Sequence, residues 1–382
     1  MQTQRNLFPG STALRRVRVL AFAALIGLAG LSFAGSGSTT PQQKEDVVKK
    51  KDGTEEGGRI KAEEYGGLQL DPAKGTAHTI PWSEVAMVSY QNGEDFEAAR
   101  DLANQGKYED ALAALSALLK PEAKLRSVVK QHVLFQVASA QLRLGKPDAA
   151  LDAFKTLLKD FPKSKYLPDV ADGLVVAYGA KGDLEGAKKA LEELNSGAVT
   201  AGVESNFSAV VAVQRGRILE RQKKWSEAFS AYNAAITTSG VTALATQLAR
   251  LGQGRCQMEQ NKTSEAEALF RKLTSEEAPN MVLAGAWNGL ADITKAEGRT
   301  KRDASVLLDA LYMYLRGVVQ YGPVPGESTS EYERALAGSA ECFGYLSDVE
   351  SNKELKARYA QNRDARKAQL AKEFPGSPYL TK

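Results

Sequence analysis

The 382-residue chain is poor in the residues that build metal centres and disulfide frameworks. It has two cysteines, Cys256 and Cys342, and two histidines, His78 and His132. That excludes a Cys/His zinc cluster and a disulfide-stapled fold. It also lacks a charge excess. The formal net charge of +4 comes from Arg5, Arg15, Arg16 and Arg18, since residues 1–34 contain no acid and the remainder holds 46 basic against 46 acidic residues. A neutral body gives no electrostatic pull toward nucleic acid or an anionic membrane surface. The sequence has no Gly-x-Ser-x-Gly elbow, no Walker phosphate loop and no His-Glu-x-x-His. Asp169 and Asp172 lie one helical turn apart, but they come after Pro168 at a helix start, where acids favour the helix dipole. No enzyme, cofactor or metal site is expected.

One apolar run stands out, Val19 to Ala34, preceded by Arg15, Arg16 and Arg18 and followed by Gly35-Ser36-Gly37-Ser38. It is shorter than the roughly 20 residues a membrane span needs. A basic start, an apolar stretch and a small-residue ending make residues 1–34 a secretory signal cleaved after Ala34, with 35–45 as linker. The mature chain is then exported to the periplasm or cell envelope with no stable membrane span. The alternative is an uncleaved anchor in the inner membrane. Export would permit a Cys256–Cys342 bridge, but 86 residues and at least two helical repeats separate the pair, which favours two buried thiols.

Residues 46–90 alternate short β-branched runs with turn signals: Asp52-Gly53, Gly66-Gly67, Asp71-Pro72 and Gly75. Such dipeptides between alternating runs mark hairpins. The stretch resembles Sm-like or SH3-like small barrels, which implies a closed β-barrel-like module with Trp82 and Tyr90 in its core. Fewer than 50 residues bury little surface, so the module is expected to dock on the next domain.

From Gln91 onward one unit repeats. Polar breaks begin at Gly106, Gly145, Gly182, Lys223, Asn261 and Gly298, in steps of 39, 37, 41, 38 and 37 residues. Five residues after each come Ala111, Ala150, Ala187, Ala228, Ala266 and then Asp303. Nine residues after come Leu115, Phe154, Leu191, Tyr232, Phe270 and Leu307. Seven before come Ala99, Ala138, Val175, Gly216, Gly254 and Ala291. Small residues on both members of a helix pair allow close approach, and a large apolar residue one turn on fills the space between them. The pattern, clearest in "ASAQLRLGKPDAALDAFKTLLKDFP", resembles the tetratricopeptide repeat. That resemblance implies a mainly α chain, a right-handed α–α superhelix of about six pairs over 91–320, closed by a helix pair over 321–382. Phe161-Pro162-Lys163-Ser164-Lys165-Tyr166 returns as Phe374-Pro375-Gly376-Ser377-Pro378-Tyr379. This phrase is similar to exported bacterial repeat proteins of outer-membrane assembly and Tol–Pal coordination, and reads as helix-ending punctuation.

In such a solenoid the first helix of each pair lines a concave groove. Positions 13, 10, 6 and 3 before the breaks should face it. They include Phe96, Arg100, His132, Phe135, Asp169, Asp172, Arg217, Glu220, Arg255, Asn288, Asp292 and Lys295. Arg217 with Arg255, and the stripe Asn288–Asp292–Lys295, are the leading partner contacts, with Arg100 and His132 beside them. The family implies a non-enzymatic interaction scaffold holding a protein or peptide. Its rivals are a self-assembling structural protein and a glycan-binding module using Trp82 and Tyr65.

Overall fold

The computed structural model describes residues 45–324 and 328–380. The expected signal and most of the expected linker lie outside the described residues. No described helix is long and apolar enough to cross a membrane.

Five strands come first: β1 (Asp46–Lys50), β2 (Glu55–Glu64), β3 (Gly67–Pro72), β4 (His78–Ile80) and β5 (Val85–Ser89). All pair antiparallel, in the order β4-β3-β2-β1-β5. The expected closed barrel is not formed. β4 and β5 are opposite edges of the sheet, with no ladder between them among the described residues, and helices cover the apolar face instead. Val48, Ile60, Leu68, Leu70 and Ile80 form one core with Phe96, Ala99, Leu115, Val128, Val129 and Val133 from the helices. A five-stranded sheet this small gains its stability from that shared core.

Two buried polar clusters fasten the sheet. The Asp46 carboxylate is 1% exposed. It accepts from both terminal nitrogens of Arg126 at 2.5 and 2.7 Å, and from the amides of Ile60 and Gln91 at 2.8 Å each. Burial pushes its pKa up, but Arg126 and the amides outweigh that and hold it below the usual range. Glu63 accepts from Tyr90 and is paired with Lys165 at 2.8 Å and His132 at 3.0 Å. The other ring nitrogen of His132 lies 2.7 Å from the Tyr166 hydroxyl. The 161–166 phrase is more than punctuation: Ser164 bridges Glu64, the Tyr65 amide donates to the Lys163 carbonyl at 2.7 Å, and the Lys165 amide to the Glu63 carbonyl. Trp82 donates to the Glu64 carbonyl at 2.8 Å beneath Lys165, and Tyr65 packs edge-on to Phe207. Both rings proposed for glycan stacking are therefore engaged internally.

Fourteen α-helices come next among the described residues. They pair as α1 (Glu94–Asn104) with α2 (Tyr108–Leu118), α3 (Ser127–Arg143) with α4 (Pro147–Asp160), α5 (Leu167–Ala180) with α6 (Leu184–Ala201), and α7 (Phe207–Arg221) with α8 (Trp225–Thr237). Then come α9 (Ala243–Glu259) with α10 (Thr263–Thr274), α11 (Asn280–Lys301) with α12 (Ala304–Leu315), and α13 (Ser330–Val349) with α14 (Lys353–Glu373). Each helix packs on the next, and each odd-numbered helix also packs on the next odd one from α1 through α13. That two-way adjacency is the stacking of a solenoid.

The break residues Gly106, Gly145, Gly182, Lys223 and Asn261 all take left-handed φ, between 58° and 76°, which ends the first helix of each pair. Gly298 does not. It is buried inside α11, where a Cβ would stand 3.0 Å from Leu307, and the turn falls at Arg302 with φ 52°. Leu307 occupies the position five residues after this true break, where the other units carry Ala, and Gly298 makes room for it. The large residues nine after the breaks are clamped by small ones on both flanking helices. Tyr232 sits between Gly216 and Gly252, and Phe270 between Gly254 and Gly289; a Cβ at any of these four would lie 2.2–2.5 Å from a ring carbon. Cys256 and Cys342 are separate buried thiols, each pushed up to about 12 by burial.

Candidate protein-binding face

The odd-numbered helices form one wall of the array, and its polar side chains converge on α13. Arg217 on α7 pairs with Asp172 on α5 and lies 3.1 Å from the Gln214 amide oxygen. Ser328, just before α13, donates to Asp172 at 3.4 Å. Arg255 on α9 donates to both Glu220 oxygens at 3.2 Å and, through another nitrogen, to Glu331 on α13 at 3.2 Å. Asn288 on α11 donates to the Glu331 carbonyl at 2.8 Å and to its carboxylate at 3.1 Å. Arg334 joins Glu331 at 3.2 Å and also pairs with Asp292, which accepts from Tyr314. Lys295 lies 3.4 Å from Asp292 and 2.7 Å from Glu341. Arg143 at the end of α3 donates to Thr329 and stacks 4.7 Å over Phe374. The second Phe-Pro-x-Ser-x-Tyr phrase thus meets the α3–α4 turn, with Gly376 against Gly145.

Burial would raise Glu331, yet Arg334 and Arg255 hold it below the ordinary carboxylate range. Asp292 is depressed the same way, with Arg334 and Lys295 overcoming burial. Burial lowers Arg143, Arg217 and Arg221, whereas Arg255 is raised because Glu220, Tyr232 and Glu331 overcome the same desolvation. Glu333 is raised by burial, in the field of Arg143 and Arg221.

Of the residues selected from sequence, Asp172, Arg217, Glu220, Arg255, Asn288, Asp292 and Lys295 belong to this connected set. Asn288 is fully buried beneath α13. Arg100 lies apart, over the Phe96 ring and near Glu97. His132, 2% exposed, is enclosed under the β-sheet rather than open in a groove. Sequence reasoning missed Arg143, Arg221, Glu331, Glu333 and Arg334. Arg143 and Arg221 each stand two residues before a break, a repeat position that would have found them. The acids on α13 carry no such mark.

Two stretches match models of the tetratricopeptide repeat, residues 132–164 and residues 213–282. Within these two stretches the chain carries tetratricopeptide repeats. Solved structures with a similar course include PilW, a type IV pilus biogenesis factor, at 18% identity and TM-score 0.38, covering 66% of this chain and 97% of that one. A tetratricopeptide repeat protein from Parabacteroides merdae has 18% identity and TM-score 0.38, covering 71% of this chain and 98% of its own. For pilF of Pseudomonas aeruginosa the values are 18% and 0.36, with 67% and 96% covered. Similarity this low carries no functional argument. No curated protein sequence matches the chain significantly.

Proposed function

We propose that the chain is a non-catalytic scaffold of the bacterial cell envelope that holds another protein against the wall formed by its odd-numbered helices. The observation that carries this reading is the convergence of Arg143, Arg217 and Arg255 from three odd-numbered helices and their neighbours on one polar seam. Buried seams of charge are weak devices for stability, because desolvation offsets much of the attraction. A repeat array that keeps one is better explained by recognition, where electrostatic complementarity gives specificity. The envelope location rests on the basic and apolar segment within residues 1–34. The test is retention of an envelope protein by the full mature chain. Arg217→Gln and Arg221→Gln should each release it, while retention unaffected by both, or no retention at all, would refute the reading.

A second reading is self-assembly through β5. β5 ladders with β1, carries no lysine or proline, and presents Met87 at 57% exposure. Edge strands without lysine or proline can template strand pairing. Light scattering that finds a monomer independent of concentration removes this reading.

A further inference from the structure

We propose that the first turn of α13 is a built-in occupant of the wall, and that the wall accepts an acidic helix of a partner protein in its place. This rests on the scaffold reading above and names the chemistry of its partner.

The charge pattern supports an acidic ligand. Where it meets the first turn of α13, the wall presents Arg143, Arg217, Arg221 and Arg255 against Asp172 and Glu220, four cations to two acids. α13 answers with two acids, while its own Arg334 is shared between Glu331 and Asp292 on α11. Glu331 accepts from Arg255 and Asn288, and Glu333 is a carboxylate acting on both Arg143 and Arg221. The flanking hydroxyls complete the set, Ser328 on Asp172 and Thr329 on Arg143. A helix start bearing hydroxyls and two acids separated by one residue is therefore what these arginines recognise.

The hold on this turn differs from the hold on the rest of α13. Residues 328–334 are half-buried and reach α3, α5 and α9 through polar side-chain contacts. From Ala335 onward every residue through Ala340 is buried, and Leu336, Cys342, Phe343 and Leu346 enter apolar clusters. The ion pairs here are largely withdrawn from water, with Arg255 and Glu331 side chains 19% and 14% exposed, so desolvation offsets much of their attraction, whereas apolar burial adds stability outright. The apolar part anchors the helix while its first turn can be exchanged for a competitor.

The probe is a labelled synthetic peptide with the sequence of residues 328–339, and a control in which both glutamates are glutamine. The full mature chain carrying Glu331→Gln and Glu333→Gln should bind the acidic peptide about tenfold more tightly than the unaltered chain, the gain expected from freeing about one charge-assisted hydrogen bond's worth of competition, and should not bind the control. A folded variant that binds the acidic peptide no better than the unaltered chain overturns the proposal. If that variant does not fold, hydrogen exchange in the unaltered chain decides. With excess acidic peptide the amides of Glu333, Arg334 and Ala335 should exchange about tenfold faster than with the control peptide, the effect of losing about one charge-assisted hydrogen bond, while the interior of α11 is unchanged. Equal rates with both peptides overturn the proposal. An envelope protein retained by the chain in the absence of any peptide binding leaves the scaffold reading intact and removes this one alone.

Discussion

Replacing Gly252 by alanine sets two effects of known sign against each other. Gly252 lies inside α9, where glycine costs about 1 kcal/mol relative to alanine, so helix propensity alone predicts a gain of that size. Packing predicts the reverse. The added Cβ would stand 2.2 Å from the Tyr232 ring, well inside the 3.4–4 Å of ordinary contact, so more than an ångström of movement is required. Tyr232 is fully buried, and Gly216 already abuts its other side. With the ring unable to retreat, α7, α8 and α9 must separate. Overpacking of this kind costs about 1–3 kcal/mol, and a clash with a clamped ring belongs at the upper end. The net prediction is destabilisation by about 1–2 kcal/mol after the propensity gain. Gly197 is the control. It sits on the exposed side of α6 with nothing within 4 Å of its would-be Cβ. Gly197→Ala should stabilise by up to about 1 kcal/mol. Urea titrations read both as shifts in midpoint at constant slope. A Gly252→Ala protein as stable as the parent would refute the claim that these aromatics are wedged between paired glycines.

Arg126→Ala removes both side-chain donors from buried Asp46 and should cost about 2–4 kcal/mol, with Asp46→Asn recovering part of the loss in the double variant; urea midpoints check it. Glu63 is held to about 2 because His132 and Lys165 overcome burial. A depressed carboxylate adds stability that is complete above its unfolded value of 4.5 and is lost as pH falls toward 2. The loss is about 3 kcal/mol over that window, and Glu63→Gln should flatten thermal melts recorded there. His132 is lowered by burial, so its neutral form also favours the fold above 6.5 and loses that advantage below. Both thiols should resist a thiol reagent in the native chain and react in denaturant, with two equivalents consumed; prompt reaction of Cys256 would contradict its burial.

The repeat was legible because packing writes it at fixed spacing. Ala at one position, a large apolar residue four later and a turn residue five before are demands of two helices in contact, and five breaks fell where the chain turns. The sixth was misplaced by four residues, since a glycine within a helix can serve packing as readily as termination, as Gly298 does. Four residues are close to one helical turn, so Asn288, Asp292 and Lys295 still fell on the inward face. The open sheet was read as a barrel because hairpin signals fix strand pairing in sequence but not what covers the apolar face. His132 was misplaced for a related reason: register puts it on an inward helix face, and only the docked sheet buries it. The return of the chain at α13 was invisible, because the contacts of Thr329 with Arg143 and of Ser328 with Asp172 span 186 and 156 residues and no local pattern encodes such a return.

The central claim is that the odd-numbered helices carry the binding surface. Hydrogen exchange of the full chain with and without its captured envelope partner tests it most directly. The account predicts protection concentrated on α3, α5, α7 and α9, together with faster exchange at the first turn of α13. Protection confined to the even-numbered helices, with α13 unchanged, would contradict it.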